Sequence, residues 1–227
     1  MNQIEADRPL GARVRDTFIA PARLFSFFGD SPPWADALAI ATILAIAVVI
    51  SEPAETYLAL VENPVTRRGE PVEITSSPAQ LVLFGRLMSG MNALVGHPLI
   101  AFGIAGLLSL VFTVIGRGSI AFRQYLAIAA HGLLILSVGM VVALFLRLMT
   151  GDPEALPTLG AILPLAPESS WVARALDGIN LFTLWMLGVI ALGVASLERS
   201  VTRRGAATLL WGGYGALVVA AAVFFRA

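Results

Sequence analysis

The sequence predicts an all-α, polytopic membrane protein: a bundle of five transmembrane helices with interfacial amphipathic helices beside it. Three observations carry that prediction. Of 227 residues, 57% are hydrophobic and only 13% charged, against about 25% charged in an average soluble domain. Mean hydropathy is +0.83, which leaves too little polar surface to cover a water-soluble globule. The apolar residues fall into five solid runs, at 34–50, 98–115, 125–146, 179–197 and 206–225, not into the alternating pattern of membrane β-barrel strands.

The first run follows residues 1–33, a segment read as cytoplasmic that carries Arg8, Arg13, Arg15 and Arg23. It is much longer than the basic region of a secretory leader, so the first run is expected to stay as an anchor. Phe18, Ile19, Leu24, Phe25, Phe27 and Phe28 interleave there with the arginines, Pro21 is placed to begin a short helix, and Gly29 to end it. Two readings are open. The helix lies in the interface, rings at headgroup depth and Arg against anionic lipid, or it packs against the bundle. The membrane domain proper is residues 34–225. A hydrocarbon core of about 30 Å takes roughly 20 helical residues, so the runs at 34–50 and 98–115 are expected to borrow a turn from flanking sequence.

Ahead of the second run, Ser77-Pro78-Ala79-Gln80 has the form of a capping box with Pro at the first helical position. Leu81, Phe84, Leu87, Met88, Met91, Leu94 and Val95 recur opposite Arg86, Ser89 and Asn92, which predicts an amphipathic outer helix over about 78–95. Such a helix lies on or dips into the outer leaflet, and a lid over a cavity would give the same pattern. His97 stands at the entrance to the second run, and His131 lies about a third of the way into the third. Gly212, Ala216 and Ala220 make a small-residue face on the fifth run, and Ala191 with Ala195 repeats the spacing on the fourth, a mark of close helix packing or of oligomerisation. The two long connections contain Pro53, Pro64, Pro71, Pro153, Pro157, Pro164 and Pro167, too much punctuation for a separate folded domain.

Because connections alternate long and short, both long loops share one side. The N-terminal segment and short loops hold Arg8, Arg13, Arg15, Arg23, Arg117, Arg123, Arg199, Arg203 and Arg204 against Glu5, Asp7, Asp16, Asp30 and Glu198, a balance of plus four. The long loops hold Arg67, Arg68, Arg86, Arg147 and Arg174 against Glu52, Glu55, Glu62, Glu70, Glu73, Asp152, Glu154, Glu168 and Asp177, a balance of minus four. With Asp36 and Arg226 the sum is zero, which excludes a basic nucleic-acid binder. By the positive-inside rule the N-terminus is cytoplasmic and the C-terminus outside, in an inner (cell) membrane.

The chemistry open to such a chain is narrow. There is no cysteine and no lysine, every basic residue being Arg. Thiolate metal sites, Cys nucleophiles and Schiff-base mechanisms are thereby excluded. Neither histidine has a second ligand at helical spacing, so no metal or cofactor is expected. Ser109, Ser137 and Ser196 lack a nucleophile-elbow context or a neighbouring base. An enzyme is not expected. His131 remains a candidate because an ionisable group inside a membrane is expensive, although a hydrogen bond between helices is the plainer role.

The fourth run reads Asn180-Leu181-Phe182-Thr183-Leu184-Trp185 and continues through Gly188 and Gly193 to Ser196-Leu197. This segment resembles the fourth span of the Yip membrane proteins, the Ypt/Rab-interacting family, with its amide or acid, Leu-Phe-Ser/Thr-x-Trp and glycine. Pro21-Ala22-Arg23-Leu24-Phe25 with Pro33-Trp34 resembles the family's approach to span one, and Ser119-Ile120-Ala121-Phe122-Arg123-Gln124 its approach to span three. The resemblance covers roughly residues 18–225 in order. It implies five membrane helices, a cytoplasmic N-terminus and an outside or lumenal C-terminus. Eukaryotic members work in vesicle trafficking with small GTPases, often marked by an acidic Asp-Leu-Tyr-Gly-Pro segment that this chain lacks, so a GTPase partner is not expected. The short basic N-terminal segment is more similar to prokaryotic members, some of which occur with ABC-type export machinery.

The expected function is a non-enzymatic scaffold or assembly partner for other membrane proteins of export or trafficking machinery, with a homo-oligomer as one form of it. The competing expectation is a lipid- or solute-handling protein, with His131, Asn180 and Arg147 converging on a polar intramembrane cavity gated by the outer helix. Thr183, Trp185, Arg123 and Gln124 complete the candidate positions as family-motif residues.

Overall fold

The computed structural model describes residues 8–59, 76–163, 165–167 and 170–224. Glu5, Asp7, Glu62, Arg67, Arg68, Glu70, Glu73, Glu168 and Arg226, which enter the charge balance, lie outside these residues, as do Pro64, Pro71 and Pro164. The fold is all-helical; among the described residues the one β contact is the isolated bridge Thr158–Asn180. Among the described residues three helices are long and apolar enough to cross a membrane: 78–114 with 37 residues, 122–150 with 29, and 203–224 with 22. Two more, at 35–51 and 181–197, are apolar but shorter.

The chain opens with a helical hairpin. Helix α1 (Leu10–Ile19) stops at Ala20, whose backbone leaves the helical region, and Pro21 begins α2 (Pro21–Ser26). Proline suits a first helical turn because its missing N–H would have no partner there anyway. Leu24 and Phe25 of α2 and the following Phe28 are buried in the main core. Of the two readings of this segment, packing against the bundle is the one the structure shows. Helix α3 (Ala35–Ser51) then runs for 17 residues, about 25 Å at 1.5 Å per residue, without borrowing the extra turn expected. It presents Ala37, Ala41, Ala45 and Val48 inward. Four-residue spacing of small side chains lets apolar helices approach closely where no hydrophobic drive from water helps them. The short α4 (Ala54–Ala59) follows.

Helix α5 (Pro78–Leu108) begins with the expected capping box: Gln80 N–H donates to Ser77 Oγ at 3.4 Å, and Ser77 N–H to Gln80 Oε1 at 2.9 Å. The outer helix and the second span, anticipated as separate segments, are one helix that passes through Pro98 and continues as a π-helical stretch over Ser109–Ile115. Proline removes one intrahelical bond, whereas a break in apolar surroundings would leave several backbone groups without partners, so continuity is the lower-energy solution. His97 therefore sits inside a helix and is buried there, not at an entrance. Helix α6 (Phe122–Thr150) is the most buried element and packs on α3, α5 and the later α9. Two short helices, α7 (Leu159–Ile162) and α8 (Trp171–Gly178), occupy the second long connection. Helices α9 (Leu181–Leu197) and α10 (Arg203–Phe224) complete the chain, α10 lying against α8 and α9.

The two sets of connections gather at opposite ends. At one end Arg123 donates to Ser31 Oγ at 3.2 Å, Gln124 to the Gly29 carbonyl at 3.0 Å, and Ser119 N–H to Glu198 at 2.5 Å, joining the N-terminal segment to both short loops. At the other end Arg147 meets Glu52, and Leu181 N–H reaches Pro157 O at 3.0 Å. The grouping expected from loop lengths is thus present in the contacts. Around an apolar core, two elements depart from the soluble pattern: α1 buries Arg13, Asp16 and Thr17 while Ile19 points out, and α5 turns Leu83, Phe84, Leu87, Met91 and Leu94 outward. Charges inward and large apolar side chains outward suit a lipid solvent.

Candidate functional site

Among the described residues, buried charged groups gather in two constellations, one toward each end. The first belongs to the N-terminal hairpin. Arg13 of α1 pairs with Asp36 in the first turn of α3, where a carboxylate also suits the helix N-terminus. Asp16 accepts from Arg8, from Arg15 at 2.9 Å and from Arg23 at 3.5 Å. Burial pulls the Asp16 carboxyl upward, but the hydrogen bond and charge of Arg15, joined by Arg23 and Arg8, hold it below the usual carboxylate range. Beneath this cluster Phe25 lies against Gly193 of α9, where an added Cβ would come within 2.9 Å of Ile128 and 3.1 Å of the Phe25 ring. Phe18 meets Trp185 edge-on with ring centroids 5.6 Å apart.

Glu198, just past α9, locks the two short loops together. It accepts from Ser119 N–H and from Ser200 Oγ at 2.9 Å, and the Ser119 N–H, outweighing burial with help from Ser200, keeps its carboxyl below its ordinary range. Gly118 has to be glycine for this contact, since a Cβ there would lie 2.6 Å from Glu198 Oε2.

The second constellation is at the opposite end. Glu52, one residue past α3, accepts from Arg147 near the end of α6 at 2.5 Å, and Arg86 of α5 donates to the Glu52 carbonyl at 3.3 Å. Glu52 and Arg147 border a cavity of about 180 Å³ together with Asn180 and apolar side chains including Val48, Leu136, Met140 and Ala143. Glu52 is 6% exposed, and its Oε2, like Nε of Arg147 and of Arg86, has no hydrogen-bond partner among the described residues. Removing one member of a buried charge pair costs about 3–5 kcal/mol.

The sequence-derived candidates therefore divide. Arg123 and Gln124 sit together where the short loops gather. Arg147 and Asn180 share the cavity at the other end. His131 joins neither: it is fully buried within α6, its Nδ1 is 2.8 Å from the Ala127 carbonyl, and its ring packs on Phe28 and Phe25. Asn180 is the N-cap of α9, accepting from Phe182 N–H at 2.9 Å and Thr183 N–H at 3.2 Å, which places Thr183 in the first turn. Trp185 is 40% exposed. The convergence of His131, Asn180 and Arg147 anticipated for a transport cavity is absent, because His131 packs against the hairpin and the other two do not. Ser137 and Ser196 donate to backbone carbonyls of Ala41 and Leu192. Among the described residues no three His, Asp or Glu side chains gather as a metal-holding group.

Glu52 and Asp16 escaped the sequence reading, where both counted only as loop charges. A signal for Glu52 existed: an acid just after one apolar run and an arginine at the end of another, two runs that alternation places parallel, so that both ends fall on one side. Comparison with family profiles, curated proteins and solved structures finds no match to the chain. The inference of function therefore rests on the site itself.

Proposed function

We propose that this chain is a Yip-type, multi-pass inner-membrane protein whose five apolar helices α3, α5, α6, α9 and α10 all cross the bilayer, with the N-terminus cytoplasmic and the C-terminus outside, and that it acts without catalysis by docking other membrane proteins. The observation that carries the reading is the open face of α10. Burial on that helix is limited to Ala206 and Ala222 among the described residues. Gly212, Ala216 and Ala220 are exposed, and a Cβ built on Gly212 or Gly213 would meet no described atom within 4 Å. A small-residue ridge lets a neighbouring helix approach its backbone, and here no described residue packs on Gly212 or Gly213. Multi-pass proteins of export machinery, an ABC-type exporter among them, are the partners in view, or a second copy of the chain.

The test is gentle solubilisation of native membranes, with co-purifying membrane proteins identified by mass spectrometry for the wild type, Gly212→Leu and a control on another exposed position, Leu217→Ala. A multi-pass partner or a dimer is expected with the wild type and the control and lost with Gly212→Leu. A wild type that runs as a lone monomer, or a partner indifferent to Gly212→Leu, overturns the proposal. A second reading, lipid handling, is favoured by one observation only, the cavity beside Glu52 and Arg147.

A further inference from the structure

Buried polar atoms are satisfied almost everywhere in folded proteins, so an unpaired set needs a physical account. Glu52 gives one carboxylate oxygen to Arg147 and leaves the other, Oε2, without a donor among the described residues. Arg147 in turn leaves Nε–H without an acceptor among them. Within the ion pair there is thus one free acceptor and one free donor, both residues border the same cavity of about 180 Å³, and the unpaired Nε of Arg86 beside the Glu52 carbonyl is a second donor. A pure anion would satisfy Arg147 and repel Glu52, and a pure cation the reverse. The complement is one molecule presenting an anionic acceptor and a hydrogen-bond donor a few bonds apart.

We infer that the cavity binds a phospholipid headgroup that carries a hydrogen-bond donor. Its phosphodiester accepts from Arg147 Nε–H, while its ammonium, as in phosphatidylethanolamine, or its hydroxyl, as in phosphatidylglycerol, donates to Glu52 Oε2. Placement points to lipid over a freely dissolved zwitterion. The pair sits where α3 has just ended and α6 is one turn from its end, the depth of headgroups if both helices cross. The rest of the lining is largely apolar, with Val48, Leu136, Met140 and Ala143 available to the first methylenes. Arg86 beside the Glu52 carbonyl adds a second positive charge and favours the phosphate. The headgroup placement rests on the proposed crossing of α3 and α6, while loss of the α10 partner and loss of bound lipid are separate readouts, so docking and lipid binding fail distinguishably.

The experiment is native mass spectrometry of the full chain released from nanodiscs of defined composition, with phosphatidylethanolamine, phosphatidylglycerol or phosphatidylcholine as the test lipid. Retention of one lipid per chain at least tenfold above phosphatidylcholine, which has no headgroup donor, is expected for one or both of the first two. A preference for the first assigns the ammonium as donor, and a preference for the second the hydroxyl. Ala143→Phe fills the cavity without touching the charges, and Leu156→Trp blocks it from an exposed loop position that places no demand on the core. Either substitution is expected to abolish retention in folded protein. Equal retention of phosphatidylcholine, no retention by the wild type, retention unchanged in Leu156→Trp, or displacement by soluble glycerophosphoethanolamine overturns the inference.

Discussion

Replacing Phe25 with alanine separates a hairpin docked in the bundle from a helix resting on a leaflet. The ring is 0% exposed and fills the space that Gly193 leaves open beside Ile128. In a water-soluble core, Phe→Ala costs about 3–5 kcal/mol, part transfer and part cavity. Inside a bilayer the transfer part shrinks, because lipid tails are as apolar as the ring. The cavity part remains, for an expected cost of about 2–3 kcal/mol to the docked hairpin. A chain without cysteine offers a clean reporter. Thr17→Cys places a thiol at a position that is 0% exposed, and its maleimide labelling reads how often the hairpin lifts away. With tenfold per 1.4 kcal/mol, Phe25→Ala should speed labelling roughly 30- to 150-fold. Phe27→Ala, which removes a ring on the outer side of the same hairpin and its stacking with Arg8, should speed it by less than about fivefold. Equal, small effects from both substitutions would refute the docked hairpin.

The remaining expectations concern charge and sidedness. Arg147→Met alone should destabilise the chain by about 3–5 kcal/mol in detergent unfolding, and Glu52→Gln added to it should recover most of the loss, since the penalty is that of an uncompensated buried charge. Asp16 and Glu198 have carboxyls held below their ordinary range, so each binds its proton more readily in the unfolded chain. Their contribution is complete above the ordinary carboxylate range and disappears as pH falls through the lowered folded values; Tm against pH should drop on that acid limb, less steeply in Glu198→Gln. Single cysteines at Ser31, Ser119 and Thr202 should label from one face of sealed vesicles with an impermeant maleimide, and cysteines at Ser77 and Asp152 from the other. Mixed labelling within either group would remove the five-span topology.

How much of this was legible in sequence depends on the range of the interaction involved. Helix positions were legible because each apolar run reports its own solvent, and the runs at 125–146 and 206–225 lie within a few residues of α6 and α10. The Ser77–Gln80 box was legible because both partners are three residues apart. The continuity of α5 was not, because Pro98 is a breaker in water and only a weak one where backbone groups have no other partner. Pairs such as Glu52–Arg147, 95 positions apart, and Arg13–Asp36 depend on which helices become neighbours. Whether the arginines of the N-terminal segment face lipid or the bundle stayed open in sequence because their periodicity does not distinguish facing headgroups from facing Asp16. His131 and Asn180 were picked out for being polar in apolar runs, and the structure gives them unrelated local roles, one in a packed core and one as a cap.

The helices of this bundle are unequal, and that inequality acts on the membrane itself. Helices α3 and α9, about 25 Å each, fall short of a hydrocarbon layer of about 30 Å, while the 37-residue rod through Pro98 measures about 55 Å and exceeds it. If all three cross as proposed, a bilayer wetting them must thin beside the short pair and can meet the rod only if it tilts or projects beyond the surface. Such mismatch costs fractions of a kcal/mol per ångström, and the sum favours membranes with shorter acyl chains. If α3 and α9 cross as proposed, the molecule carries a preference for bilayer thickness written into helix length, one that would sort it among lipid environments without any specific contact.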